Sequence, residues 1–153
     1  MNKYLAGAIA GTAATIPMTV LMVYMHRRIP ASERKTLPPK QITKEVVSGL
    51  GAQDMVDEKT ELETMSAASH LAYGAASGAA YALIAPLVDL PPAMKGTLFG
   101  LAVWTGSYLG WLPMAGVRQS ATKRPMSESA MMIAAHIVFG MFLGRWMASL
   151  SDE

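Results

Sequence analysis

The chain has 153 residues, enough for one compact domain. Residues of the apolar set make up 52% and charged residues 16%, against about 25% charged in an ordinary soluble domain. With no cysteine, disulfides, thiolate metal sites and cysteine nucleophiles are excluded, and a net charge of +2 without aromatic interleaving gives no nucleic-acid partner.

The charges crowd into His26 to Glu63, Arg118 to Glu128 and the chain ends. What lies between them is nearly charge-free, which is a membrane pattern. A helix crossing the hydrocarbon needs about 20 apolar residues. Four stretches approach that length: 4–25, 66–88, 96–117 and 129–150. The first follows Lys3 like a signal peptide, but its apolar run is too long and ends in His26-Arg27-Arg28, not in small residues.

The segment 26–65 joins the first two spans. Leu37-Pro38-Pro39 stops the first helix, and Pro39 suits the first position of a new one. Ile42, Val46, Val47 and Leu50 recur at helical spacing with Lys40, Lys44 and Glu45 between them, and Gly51 suits the C-terminal cap. This predicts a short amphipathic helix on the membrane or against the bundle. Asp57 suits the N-cap of a helix running into the second span. Asp89-Leu90-Pro91-Pro92 reads as a tight turn, and Arg145 near the end of the fourth span can snorkel.

Lysine and arginine set the orientation. Arg27, Arg28, Arg34, Lys35, Lys40, Lys44 and Lys59 lie between spans one and two, and Arg118, Lys123 and Arg124 between spans three and four. Only Lys3, Lys95 and Arg145 lie on the other side. Both larger loops are expected in the cytoplasm and both termini outside.

One string occurs twice. His70-Leu71-Ala72-Tyr73-Gly74 runs on to Gly78, and His136-Ile137-Val138-Phe139-Gly140 runs on to Gly144. Each reads His, aliphatic, apolar, aromatic, Gly, three residues, Gly. Gly7 and Gly11 match Gly96 and Gly100 in spacing, and Ile16-Pro17-Met18 resembles Leu112-Pro113-Met114, but these two alignments do not share a register. The pattern predicts an all-α, integral membrane four-helix bundle, one domain over 1–153, built from two related helix pairs in parallel repeat. Positions four apart share a helix stripe, and glycines there let another backbone approach closely. Gly7, Gly11, Gly74, Gly78, Gly96, Gly100, Gly140 and Gly144 are therefore the expected packing residues, toward the bundle or an oligomer partner.

An ionisable residue inside a membrane is a functional candidate. His70 and His136 are expected at similar depth in the cytoplasmic half. Three readings stay open: packing through hydrogen bonds to span one (Thr12, Thr15, Thr19) or span three (Thr105, Ser107, Tyr108); bis-imidazole ligation of haem b or a chlorophyll-type pigment; and a proton relay. His26, beside Arg27 and Arg28, reads as a headgroup contact. Met18, Met22 and Met25 share a spacing that suits copper(I) thioether binding less well than packing or lipid contact. Trp104, Tyr108 and Trp111 on one side of span three could form a ligand shelf, but are expected rather to meet lipid or a partner subunit, and Trp146 to sit at the interface. No phosphate loop, HExxH or intramembrane carboxylate pair is present, so no catalytic or metal site is expected.

His70-Leu71-Ala72-Tyr73, Leu112-Pro113-Met114-Ala115-Gly116 and Ala135-His136-Ile137-Val138-Phe139 resemble small bacterial inner-membrane proteins of the YagU-like type. The resemblance runs from Ser69 onward; the long first loop with Leu37-Pro38-Pro39 departs from it and looks more like a related bacterial group. It implies an inner-membrane location and a link to acid tolerance, and it carries over no catalytic residue. The leading expectation is a non-enzymatic accessory subunit of a homo-oligomer or larger membrane complex in the lipid bilayer. The alternatives are a tetrapyrrole-binding electron-transfer or pigment subunit and a small proton-linked transporter or channel.

Overall fold

The computed structural model describes residues 1–34, 36–52, 59–117 and 119–151. Regular structure among the described residues is all helical: α1 (Lys3–Arg28), α2 (Pro38–Gly49), α3 (Lys59–Ile84), α4 (Pro92–Thr105), α5 (Leu112–Met114) and α6 (Met126–Ser151). A π-helical segment, Gly106–Trp111, links α4 to α5.

Local chemistry explains the ends. Asn2 caps α1 by accepting from Tyr4 N at 2.9 Å. The last turn of α1 carries His26, Arg27 and Arg28, where cations oppose the helix dipole. Arg34 then folds back, its Nη2 donating to the carbonyls of Ile29 at 2.9 Å and Arg27 at 3.0 Å. α2 opens on Pro38, one residue earlier than expected, and Gly51 follows it at φ +67°, a conformation that favours glycine. Of the apolar stripe on α2, Val47 and Ile42 turn inward, while Val46 and Leu50 stay exposed. Asp57, the expected N-cap, lies outside the described residues. α4 starts at Pro92, and Lys95 Nζ reaches back to donate to Ala85 O at 3.1 Å.

α1 and α6 pack against each other at the centre; α3 flanks α1 and α4 flanks α6. α1 is antiparallel to α3, with Gly7 against Gly78 and Gly11 against Gly74. α4 is antiparallel to α6, with Gly96 against Gly140 and Gly100 against the carbonyl of His136. α3 meets α4 and the π segment at few points: the Tyr81 ring and the Phe99 ring of α4 at 5.2 Å, and Tyr73 Oη with Ser107 Oγ of the π segment at 2.9 Å.

Two helices, α1 and α6, are long and apolar enough to cross a membrane. α3 is as long but is diluted by His70, serines and glycines, and α4 has only 14 residues before the π segment begins. Along the first half of α1, small side chains lie inside and large ones outside. Ala6, Ala10 and Ala14 of α1 are buried, while Leu5, Ile9, Ile16 and Val20 of the same helix face outward. Met18 and Met22 are buried as packing residues, without a lipid-facing role.

At the α2 end the two connecting segments interlock. Arg124 Nη2 pairs with Glu128 at 2.7 Å and donates to Gln41 of α2 at 3.3 Å. Ser127 donates to Glu33 at 2.9 Å. On α3, Lys40 pairs with Glu63 at 2.9 Å and Thr43 meets Ser69 at 3.2 Å, which holds α2 across the bundle end.

Candidate functional site

The glycines decide how closely the helices run. A methyl group added at Gly11 would land on the carbonyl oxygen of Gly74, one at Gly78 on that of Gly7, one at Gly96 on that of Gly140, and one at Gly144 on that of Pro92. All eight candidate packing glycines meet backbone or side chains of a neighbouring helix within the chain.

These contacts fix the register that the sequence leaves open. With Gly74 equivalent to Gly140 and Gly78 to Gly144, the facing carbonyls make Gly11 equivalent to Gly96 and Gly7 to Pro92. Thr15 then stands where Gly100 stands in the second pair. Its Oγ1 fills the space beside Gly74 and donates to Gly11 O at 2.9 Å.

The repeat is not closed into a symmetric bundle. α1 packs tightly on α6, but the equivalent α3–α4 interface is splayed. The gap is a cavity of about 230 Å³. Its walls hold equivalent residues from both halves: Met18 and Val103, His70 and His136, Tyr73 and Phe139. Pro39, Ile42 and Thr43 of α2 border it at one end. Tyr73 and Trp111, both lining residues, are 44% and 45% exposed, so the mouth lies between α3 and the π segment.

The two histidines thus come from different helices to one cavity. His136 is 5% exposed, and its Nδ1 donates to Met132 O at 2.7 Å. A carbonyl can only accept, so Nδ1 carries the proton and, in the neutral ring, Nε2 carries the lone pair. The edge of the His136 ring meets Tyr108, with centroids 6.0 Å apart. His70 Nδ1 is 3.5 Å from Thr19 Oγ1, whose own proton goes to Thr15 O at 2.7 Å. Thr19 is thus left to accept, which favours the same tautomer of His70 through a longer, weaker contact. Thr12 and Thr105 do not reach the histidines; each bonds a carbonyl of its own helix.

The π segment is what sequence reasoning missed. It widens the turn and brings Ser107, Tyr108 and Leu112 inward, all buried, where a regular helix was expected. Gly110 carries the break, at φ −107° and ψ −107°. Tyr108 is therefore buried rather than facing lipid, and Tyr108 and Trp111 both line the cavity, as the ligand-shelf alternative had it. Trp104 stacks on it at 6.4 Å, its indole Nε1–H enclosed without an acceptor. The signal available in the sequence was the aromatic at the fourth position of each repeat, Tyr73 and Phe139, which face the cavity together. Trp146 packs on Phe142 at 4.8 Å beside exposed Arg145. Among the described residues no group of three or more His, Asp or Glu gathers to hold a metal ion.

Paired helices closed by glycine, with an imidazole-lined cavity between the halves, define an all-helical class with two helices suited to a membrane. The chain belongs to the family described as protein of unknown function (DUF1440), whose model matches residues 10–144. No curated protein and no solved structure matches the chain. The YagU-like resemblance is thus carried by residue patterns alone, with no named relative behind it.

Proposed function

We propose that this is a non-enzymatic, multi-pass protein of the bacterial inner membrane that binds a small, largely apolar molecule in the cavity between α3 and α4, as a binding or accessory subunit. The observation that carries this reading is the cavity, about 230 Å³, with an imidazole from each half of the repeat. Pockets for drug-sized ligands run from about 300 to 1,000 Å³, so the occupant is smaller than those. Immersion in lipid is supported by α1 and α6 and by the large aliphatic side chains on the outer face of α1, which would be a liability in water. All four long helical segments then span, the α2 end faces the cytoplasm, and both termini lie outside, following the lysine and arginine distribution.

Filling the cavity tests the binding reading. Val103→Trp in the folded protein should lose a small molecule that copurifies with the wild type and is seen by mass spectrometry of its extracts. A wild type that carries nothing, or a variant that carries the same molecules as the wild type, overturns it. The chain has no cysteine, so single cysteines report orientation cleanly. An impermeant maleimide should label Asn2→Cys on intact cells and Thr122→Cys only after permeabilisation; the reverse pattern overturns the topology.

The tetrapyrrole reading keeps one observation in its favour: both Nδ1 atoms are turned to the protein, which leaves both Nε2 atoms for a ligand. The volume weighs against it, since a macrocycle needs the larger end of the pocket range. A visible absorption band lost in His70→Ala and in His136→Ala would make the tetrapyrrole reading the right one. Self-association loses the glycine stripes as its basis, because they are spent inside the chain; a partner protein would meet the large outward side chains.

A further inference from the structure

The cavity has a chemistry more specific than its size. Apolar walls at Met18, Val103, Leu112, Met132 and Phe139 alternate with hydroxyls, several of them committed within the chain: Thr15 to Gly11 O, Thr43 to Pro39 O, Ser69 to Met65 O, and Tyr73 with Ser107. Of the two histidines, the better fixed is His136. Its Nδ1 is committed to Met132 O at 2.7 Å, and among the described residues no hydrogen-bond partner meets its Nε2. That atom is not enclosed either, since the one buried side-chain nitrogen or oxygen without a partner among the described residues is Trp104 Nε1. In a ring that is 5% exposed and lines the cavity, the remaining surface faces the cavity. His70 presents the same arrangement from the opposite half.

The site therefore offers two hydrogen-bond acceptors on two walls and asks for a ligand with two donors. Much of the surrounding wall is apolar, and a cavity of about 230 Å³ has room for a single ring. The mouth between Tyr73 and Trp111 opens on the outer surface of the helices, so a lipophilic tail has a way out. An aromatic ring with two hydroxyl groups and an apolar tail meets each of these conditions. We propose that the cavity binds the hydroquinone head of a membrane quinol, its two O–H groups donating to Nε2 of His136 and His70 and its tail leaving between α3 and α4. This rests on the membrane-embedded binding reading given above.

The hydrogen-bond pattern makes the site selective for the reduced form. A quinone has carbonyl oxygens where the quinol has O–H groups, and an oxygen lone pair facing the Nε2 lone pair gains nothing. His70, held through a contact of 3.5 Å, can exchange its tautomer and donate to one carbonyl. His136 cannot do so without giving up the Met132 bond. Discrimination is thus assigned to His136, and losing one such bond weakens binding by about tenfold.

The test titrates the full chain in lipid nanodiscs with three short-tailed probes under anaerobic conditions: a quinol, the matching quinone, and the dimethyl ether of the quinol. Tryptophan emission is the readout, because Trp111 lines the mouth. The quinol should bind about tenfold or more tighter than both the others. His136→Phe should remove that preference, with far-UV circular dichroism checking the fold; the wild-type comparison of the three probes does not depend on it. Equal binding of all three probes would overturn the quinol assignment while leaving the cavity reading intact. Absence of binding by all three, with Val103→Trp leaving the copurifying molecules unchanged, would overturn both. Binding of copper(I) that needs both histidines, with none of the quinol, would replace the proposal by a metal site.

Discussion

The two helix pairs are built on one plan and finished differently. In the pair α4–α6, Gly96, Gly100, Gly140 and Gly144 bring backbone onto backbone along four consecutive contacts. In the pair α1–α3, one of those contacts is made by a side chain, Thr15 Oγ1 against Gly74. The connecting segments differ too. The second holds a nearly enclosed ion pair, Arg124–Glu128, with side chains 7% and 11% exposed; the first holds Lys40–Glu63 at 28% and 53%. The second half is thus the more rigid unit, and it carries the better fixed histidine. The same contrast recurs between halves: α1–α6 is closed and α3–α4 is open, and the cavity lies on the open side. The repeat gives two equivalent interfaces, and the one left unclosed lies beside the candidate site.

Unequal substitutions can break this comparison. The largest expected effect is at the ion pairs. Glu128→Ala strands Arg124 in an enclosed site and should cost about 3 kcal/mol. Glu63→Ala should cost at most about 0.5 kcal/mol, because its pair is exposed and screened. Denaturant unfolding in detergent reads both, and equal losses would end the contrast between the two segments.

Next come the glycines. Gly140→Ala forces two backbones apart and should cost about 2 kcal/mol, whereas Gly74→Ala displaces a side chain and should cost about 1 kcal/mol. Thr15→Ala should restore part of the Gly74→Ala loss, a coupling that a double-mutant cycle measures. Additive losses would show that Thr15 does not occupy the space beside Gly74.

Tyr73→Phe removes a hydrogen bond between α3 and π-segment side chains and should cost about 1 kcal/mol. The smallest effect is the control. Gly49 meets nothing within 4 Å of an added methyl group, so Gly49→Ala should stabilise α2 by about 0.5 kcal/mol. A loss there would mean that the α2 end is tighter than it stands here.

Much of this was legible in the chain. The four apolar stretches, the amphipathic α2, the proline turn and the repeat each rest on local rules: period, caps, and the length of a run. The helices extend beyond the expected spans because a helix needs only backbone bonds to continue past its apolar part, as α3 does from Lys59. The two histidines were visible because an ionisable residue in a charge-free stretch stands out. Their shared cavity was not visible, nor were the π turn that brings Ser107 and Tyr108 inward and the α2 residues that border it. Those depend on which helices become neighbours, and side chains distant in sequence leave no periodic trace.

By itself, then, the sequence determined that the chain is helical, apolar and duplicated, with glycine where backbones must approach. It could not determine which glycine faces which, because Gly7-Gly11 and Gly96-Gly100 match in spacing although the contacts align Gly11 with Gly96. Only the tertiary structure settled that register, by the volume of Thr15 and the reach of single carbonyl oxygens. It also decided that one of two equivalent interfaces stays open: packing is a property of surfaces, and four helices that close α1 on α6 leave α3 and α4 apart with His70 and His136 between them.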